Sequence, residues 1–409
     1  MAKIICADDD PLINQLFHDI LGRKGFQVRT CTSGEEVLTA FAQEPADLVL
    51  LDLLMPGLSG LDTCRELRKR PDSFDVPIII VSGVDAETSI FDCLSSGADD
   101  YVLKPLHPTE LLAKISNAMK KRSERLNRNV GLRPGARFAG RFDILRQIGS
   151  GGFSMVFHAR DTSRNEDVAL KVLDLPAAQR EDKTFISTFL REAYQLSRLD
   201  YPVIVKFHDF GQSGVFYYLV MEFVQGRSLE EFLQTDGALS EANTIVLGHE
   251  VASAIHYLNL QRMVHRDIKP PNIMITQGGA IKLLDFGLAR SVSDATTSVS
   301  DEIRVTPFFA PPELFVKGQS LDVKSDIYSL GATLYYGASR ILPFDGESVL
   351  AVIANHFKQV PQPLCEANPA VSKTFSQLIQ QMLARQKEDR PDINEVIFRL
   401  RNMMAGEPL

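Results

Sequence analysis

Hydrophobic positions along the first 119 residues follow two alternating periods. Short continuous apolar runs at Ile4–Ala7, Leu48–Leu51, Ile78–Val81 and Tyr101–Leu103 read as buried strands, with a weaker one near Val28–Cys31. Between them, Leu12–Leu21, Glu35–Ala42, Gly60–Arg68 and Thr88–Leu94 repeat their apolar residues at helical spacing. Strands alternating with helices predict a doubly wound α/β domain with a five-stranded parallel sheet. Function in such sheets gathers beyond the carboxyl ends of the strands. Those ends carry Asp8-Asp9-Asp10, Asp52 and Ser82, and Lys104 follows the fifth strand.

The last helix of this pattern does not stop where the domain should. Leu112, Ile115, Met119 and Leu126 fall near heptad spacing, with Arg122 interrupting the seam, so the helix is expected to run on. Gly131, Pro134, Gly135 and Gly140 then end regular structure. From Arg141 the order changes. Strand-like segments come first, at Phe142–Ile148, Val156–Arg160, Val168–Leu173, Phe207–Gly211 and Tyr217–Glu222. Mainly helical ones follow Ser228, clearest at Thr244–Leu260, Asp326–Tyr336 and Thr374–Leu383. A small sheet-rich half before a larger helical half predicts two lobes. Ser291–Ser300 reads as a loop.

Composition narrows the class. Five cysteines at 6, 31, 64, 93 and 365 form no C-x-x-C pair, which argues against a zinc site and a secreted disulfide framework. A reducing cytoplasm fits, and no signal peptide or membrane-spanning run is expected. The net charge of −8 hides a division. Residues 1–119 hold 19 acidic and 10 basic side chains, and residues 142–409 hold 32 and 26. Residues 120–141 hold eight basic against one acidic. That basic joint is either plain solvated linker or a salt-sensitive docking element. The acidic total argues against nucleic acid as a partner.

The first chemistry lies at the strand ends. Asp8, Asp9 and Asp52 converging at one sheet edge repel one another, and a hard divalent cation such as Mg²⁺ relieves this through oxygen ligands. Lys104 adds positive charge and Ser82 a hydroxyl. That set suits attack by a carboxylate on a phosphoryl group, giving an acyl phosphate on Asp52. The D-D-D-P start, L-D-L-L-M-P-G-L-S-G around Asp52, V-S-G at Ser82 and L-K-P at Lys104 make residues 1–120 resemble a response-regulator receiver domain. The resemblance implies Asp52 as phosphoacceptor, Asp8 and Asp9 as the acidic pair with Asp9 the direct metal ligand, and Ser82 and Lys104 as phosphate sensors. It implies a cis Lys104–Pro105 bond. Tyr101 stands at the family's rotating aromatic position or is a plain strand aromatic.

The second chemistry begins at Gly149-Ser150-Gly151-Gly152-Phe153-Ser154-Met155-Val156, either a phosphate cradle of backbone N–H groups or a simple hairpin turn. Val168-Ala169-Leu170-Lys171 puts a lysine on the third strand, and Glu192 in the helical stretch Phe185–Leu199 can pair with it. His265-Arg-Asp-Ile-Lys-Pro-Pro-Asn272 precedes Ile281-Lys-Leu-Leu-Asp-Phe-Gly287. Asp267 can orient a substrate hydroxyl and accept its proton. Asn272 and Asp285 offer oxygens to magnesium, and Lys269 can stabilise the transferring phosphoryl group.

This ordered set resembles the protein kinase fold over residues 142–402. The resemblance implies a small lobe over about 142–222, a hinge at about 222–226 and a large lobe over about 227–402. ATP and Mg²⁺ are the implied cofactors, and protein Ser/Thr the substrate class. Val220-Met-Glu-Phe-Val224 resembles the adenine-binding hinge, with Met221 at the gatekeeper position, Glu222 and Val224 beside it, and Ala169 and Val156 sandwiching the ring. Asp326 and the pair Glu313–Arg390 match the scaffold. A second D-F-G, at 209–211, reads as a strand end. Arg266 beside Asp267 suggests control by a phosphorylated activation segment, with Ser291, Ser293, Thr296, Thr297, Ser298, Ser300 and Thr306 as candidates.

Ser154 replaces the third glycine of the phosphate loop, Val305 a glycine before Thr306-Pro307, and Pro311 an alanine, none of which removes a chemical group. The expectation is a cytoplasmic receiver-regulated Ser/Thr kinase, fed by a histidine kinase or phosphotransfer protein. It would act as a homodimer paired through the Met119–Leu126 region. The alternative is a pseudokinase scaffold whose receiver recruits a partner.

Overall fold

Each apolar run of the first 119 residues becomes a strand where the alternation placed it. The computed structural model describes residues 2–73, 76–83, 96–128, 132–150, 154–173, 191, 193–285, 307–316, 318–346 and 348–405. The predicted helix Thr88–Leu94 and the loop Ser291–Ser300 lie outside the described residues. By contacts the chain divides into two units, Met1–Ser150 and Gly151–Leu409.

In the first unit β1 (Lys3–Ala7), β2 (Gln27–Cys31), β3 (Leu48–Asp52), β4 (Ile78–Ser82) and β5 (Asp100–Leu103) form a sheet ordered β2-β1-β3-β4-β5. Every pairing is parallel. β3 and β4 are buried at all five positions, which is why they read as unbroken apolar runs. β2 is an edge strand with mostly exposed positions, hence its weaker signal.

Among the described residues, helices α1 (Pro11–Gly22), α2 (Gly34–Gln43), α3 (Gly60–Arg68) and α4 (Pro108–Arg128) belong to this α/β unit. Asp10, Ser33 and Ser59 cap the first three, accepting from the N–H groups of Leu12, Glu36 and Asp62. Two apolar cores result: one gathers Ile5, Phe41, Leu51 and Ile80, the other Ile4, Phe17, Leu50 and Val81. Ala7 pairs with Leu51, Asp52 with Val81 and Ser82 with Leu103, so these registers bring Asp8, Asp52, Ser82 and Lys104 to one edge.

The expected continuation of the last helix is present, since α4 runs to Arg128. Its heptad-like positions have an internal use. Ile115 is fully buried, and Leu112 and Met119 pack on the same core beside buried Leu111. Arg122 pairs with Asp47, which also accepts the Lys3 N–H. The Leu126 side chain lies outside the described residues.

A hairpin of β6 (Arg137–Phe138) and β7 (Phe142–Ser150) ends the first unit. The second unit opens with β8 (Ser154–Asp161), β9 (Glu166–Leu173), β10 (Phe207–Ser213) and β11 (Phe216–Glu222), antiparallel neighbours in the order β10-β11-β9-β8. Burial alternates strictly along β8, as on a half-covered antiparallel strand. The second Asp-Phe-Gly, 209–211, lies within β10 as a strand segment.

A helical half follows. It holds β12 (Gly226–Ser228), α5 (Leu229–Asp236), α6 (Glu241–Leu260), β13 (Ile273–Thr276), β14 (Ile281–Leu283), α7 (Val323–Ser339), α8 (Val349–Lys358), α9 (Leu364–Ala367), α10 (Lys373–Met382) and α11 (Ile393–Ala405). α7 is buried from Ser325 to Ala338 on every side, so it serves as the axis of this half. The architecture is a two-lobed α+β domain.

Two candidate phosphoryl-transfer sites

The first site forms where β1, β3 and β5 end. Lys104 Nζ sits 2.8 Å from Asp8 Oδ2 and 2.6 Å from Asp52 Oδ1. Carboxylate oxygens of Asp8, Asp9 and Asp52 lie within 4.8 Å of one another. Asp8 and Asp52 are buried and Asp9 is exposed. Asp8 Oδ1 accepts the Asp10 N–H and Asp52 Oδ2 the Leu54 N–H. Asn14 donates from Nδ2 to the Asp8 and Cys31 carbonyls, pinning the exits of β1 and β2 beside the acids.

Burial pushes the Asp52 carboxyl up, and the neighbouring Asp8 charge adds to it, while the Lys104 hydrogen bond pulls the other way. Burial lowers Lys104, but its bonds and charge contacts with Asp52 and Asp8 outweigh that and hold it above the ordinary lysine range. One ammonium against three carboxylates leaves surplus negative charge on hard oxygens, with an exposed member on the open side. That donor set fits a divalent cation such as Mg²⁺.

Ser82 is buried at the end of β4, where its hydroxyl donates to the Gly83 carbonyl at 3.2 Å. Tyr101 is half-buried on β5, under the Lys114 ammonium 4.8 Å from its ring centre. The Lys104–Pro105 bond is cis.

The second site lies in the second unit. Lys171 on β9 reaches Asp285, Nζ to Oδ1 at 2.7 Å. Asp267 Oδ2 accepts from Asn272 Nδ2 at 2.8 Å and lies 3.1 Å from Lys269 Nζ. Asn272 also ties its amide nitrogen to the Asp267 carbonyl, which leaves its Oδ1 for a cation. Asp285 and Arg266 both hold left-handed backbone angles, φ 51° and 67°. Such angles are uncommon outside glycine and persist where surroundings impose them.

The surroundings of Arg266 are visible. Asp326, near the start of α7, accepts the His265 N–H at 2.7 Å and the Arg266 N–H at 2.8 Å. Burial drives the Asp326 carboxyl up to about 7 against those two bonds and the Arg266 charge. His265 Nε2 meets the Leu284 carbonyl at 2.9 Å, joining the two catalytic segments. One residue before Asp326, Ser325 donates to Glu313. Glu313 and Arg390 form a bidentate buried pair, 2.7 and 2.8 Å.

Met221, Ala169 and Val224 are buried and Val156 half-buried, and Met221 pairs across the sheet with Ala169. Glu222 pairs with Lys282 of β14 at 2.8 Å, a link across the hinge that sequence reading missed. Gly149 and Ser150 end β7, and Ser154 opens β8. Gly151, Gly152, Phe153, Glu192, Thr296, Thr297, Ser298 and Thr306 lie outside the described residues. The expected Lys171–Glu192 pair is among these undescribed features. Among the described residues Asp285 is the partner of Lys171.

A model described as protein kinase domain matches residues 142–399. One described as response regulator receiver domain matches residues 4–116. Serine/threonine-protein kinase PrkC of Bacillus subtilis is 36% identical over 251 residues, 61% of this chain and 38% of that protein. Serine/threonine-protein kinase PknB of Mycobacterium tuberculosis is 34% identical over 256 residues, 61% of this chain and 40% of that protein. The chain thus spans about two fifths of these relatives. A crystal structure of Rad53 in complex with AMP-PNP is 25% identical with a TM-score of 0.53, covering 63% of this chain and 64% of that one. Among the described residues no helix is long and apolar enough to cross a membrane.

Proposed function

We propose, from the premise that this chain belongs to the protein kinase family and carries a receiver domain, that it is a receiver-regulated serine/threonine kinase. Its receiver spans 1–120, the basic joint 121–141 and the kinase 142–402. The observation that carries the reading is the two charge sets brought together: Lys171–Asp285 with Asp267–Lys269–Asn272, and Lys104 with Asp8–Asp52.

In the kinase, Lys171 neutralises phosphate charge at the mouth of β9. Asp267 orients the substrate hydroxyl and takes its proton, while Lys269 beside it offsets charge that develops on the transferring group. Asn272 and Asp285 would hold Mg²⁺, which with ATP supplies the phosphoryl group and its charge neutralisation. In the receiver, Asp52 attacks a phosphoryl group brought by a histidine kinase or phosphotransfer protein. Lys104 balances the charge, and Asp8 and Asp9 would hold the cation. Asp52 phosphorylation then alters kinase output, in a cytoplasmic protein able to pair as a homodimer.

Radiolabelled ATP tests the enzymatic half. Label should pass to the chain or to a basic protein, and Asp267→Ala should lower that transfer about 10²–10⁴-fold. A wild-type chain that binds ATP and transfers nothing supports the pseudokinase scaffold.

A further inference from the structure

The chain leaving Asp52 crosses to α3 through residues 53–59, and backbone bonds fix both ends of that crossing. Leu53 N–H donates to the Val81 carbonyl at 2.8 Å, and Gly60 N–H to the Leu53 carbonyl at 3.0 Å. Gly60 passes so close that a Cβ there would fall 2.1 Å from the Asp52 carbonyl oxygen. Leu54 N–H, in the first turn of the crossing, donates to the acceptor oxygen Asp52 Oδ2 at 3.1 Å.

The tip of the crossing is held from across the fold. Glu35 Oε1, in the first turn of α2, accepts the Leu58 N–H at 3.0 Å. The same carboxylate lies against Gly57, whose φ is 78° and where a Cβ would fall 2.6 Å from Oε1. An acid in a helix's first turn ordinarily serves the helix dipole. Glu35 does that and also grips a loop 23 residues away. Its own backbone N–H, then the Leu58 N–H and the Ser33 hydroxyl, hold its carboxyl below the ordinary glutamate range against a burial effect.

We propose that Glu35 is a positioning residue for the Asp52 site: through the Leu58 N–H it holds the 53–59 crossing closed and sets the lifetime of the phosphoryl group on Asp52. The proposal rests on Asp52 as the acceptor. Loss of the group is hydrolysis: water oxygen attacks phosphorus, the acyl P–O bond breaks, Asp52 leaves as carboxylate and inorganic phosphate departs. A loosened crossing moves the Leu54 N–H off Asp52 Oδ2 and admits that water.

The test uses the full chain loaded with acetyl phosphate, which releases acetate as Asp52 attacks. The donor is then removed and the decay followed by intact mass. Glu35→Ala, an exposed substitution, should shorten the half-life about two- to tenfold, the range one net hydrogen bond commands. Glu35→Gln retains an oxygen acceptor without the charge and should stay within about twofold of wild type. Amide hydrogen exchange at Leu58 should accelerate in the alanine variant alone. Equal half-lives for wild type and Glu35→Ala overturn the proposal, as do equally short ones for Ala and Gln. A wild-type chain that takes no label overturns the acceptor reading itself.

Discussion

Arg390→Met should destabilise the kinase unit by about 3–5 kcal/mol, the cost of breaking one side of a buried ion pair. The Arg390 side chain is 0% exposed and Glu313 4%, so solvent screens neither. All five guanidinium N–H donors are used. Nε serves the Ala384 carbonyl, and the terminal nitrogens serve both Glu313 oxygens and the Lys324 and Arg385 carbonyls. Methionine fills much of the volume and stacks on Tyr328, whose ring the guanidinium covers at 4.8 Å. It leaves a buried carboxylate with Ser325 as its partner. For a unit of this size the loss corresponds to a melting shift of about 6–20 °C.

The kinase transition is the one that moves when an ATP analogue is added. Glu313 adds a pH signature. Burial pushes its carboxyl up, but the Arg390 bonds and charge, with Ser325, outweigh this and hold it below the ordinary range. A depressed folded pKa means the contribution is present above the unfolded glutamate value and is lost as pH falls through the folded one. Wild type should therefore lose more stability in acid than Arg390→Met does. The double variant Glu313→Gln with Arg390→Met should cost less than the sum of the singles. A melting shift under about 2 °C, or strict additivity, refutes this account of the pair.

Other outcomes follow from the two sites. Asp267→Ala should lower phosphotransfer about 10²–10⁴-fold while ATP-analogue binding persists, read by radiolabel and by melting shift. Lys104→Met should slow Asp52 phosphorylation by acetyl phosphate about 10²-fold or more, since it removes the ammonium bridging Asp8 and Asp52. Asp326→Asn should cost about 1–3 kcal/mol and lower phosphotransfer, because the His265 and Arg266 N–H groups go to separate carboxylate oxygens and an amide turns an NH2 donor toward one of them; stability and rate measured together check it.

Much of this was legible in the chain itself, for physical reasons. β3 and β4 are buried on both faces, so their apolar runs are unbroken, and the carboxyl-end rule then places Asp52 and Ser82. The kinase residues were readable because their chemistry demands particular side chains in fixed order. Two long-range pairings stayed hidden because no motif carries them. Glu35 looks like a solvated first-turn acid until Leu58 is seen against it. Glu222–Lys282 spans 60 positions with no local trace. The α4 seam illustrates the opposite case. A helix lying on its own sheet has the same three-and-four spacing as a pairing helix, and Leu112, Ile115 and Met119 serve the sheet. Arg122, which interrupts the seam, pairs with Asp47 of the same unit.

The central claim is that the Asp52 site governs the Asp267 site within one chain. Its most direct measurement is the initial rate of protein phosphorylation with and without acetyl phosphate, in wild type and Asp52→Ala. The account predicts a rate change with the donor in wild type and none in Asp52→Ala. Identical responses of the two proteins would contradict it.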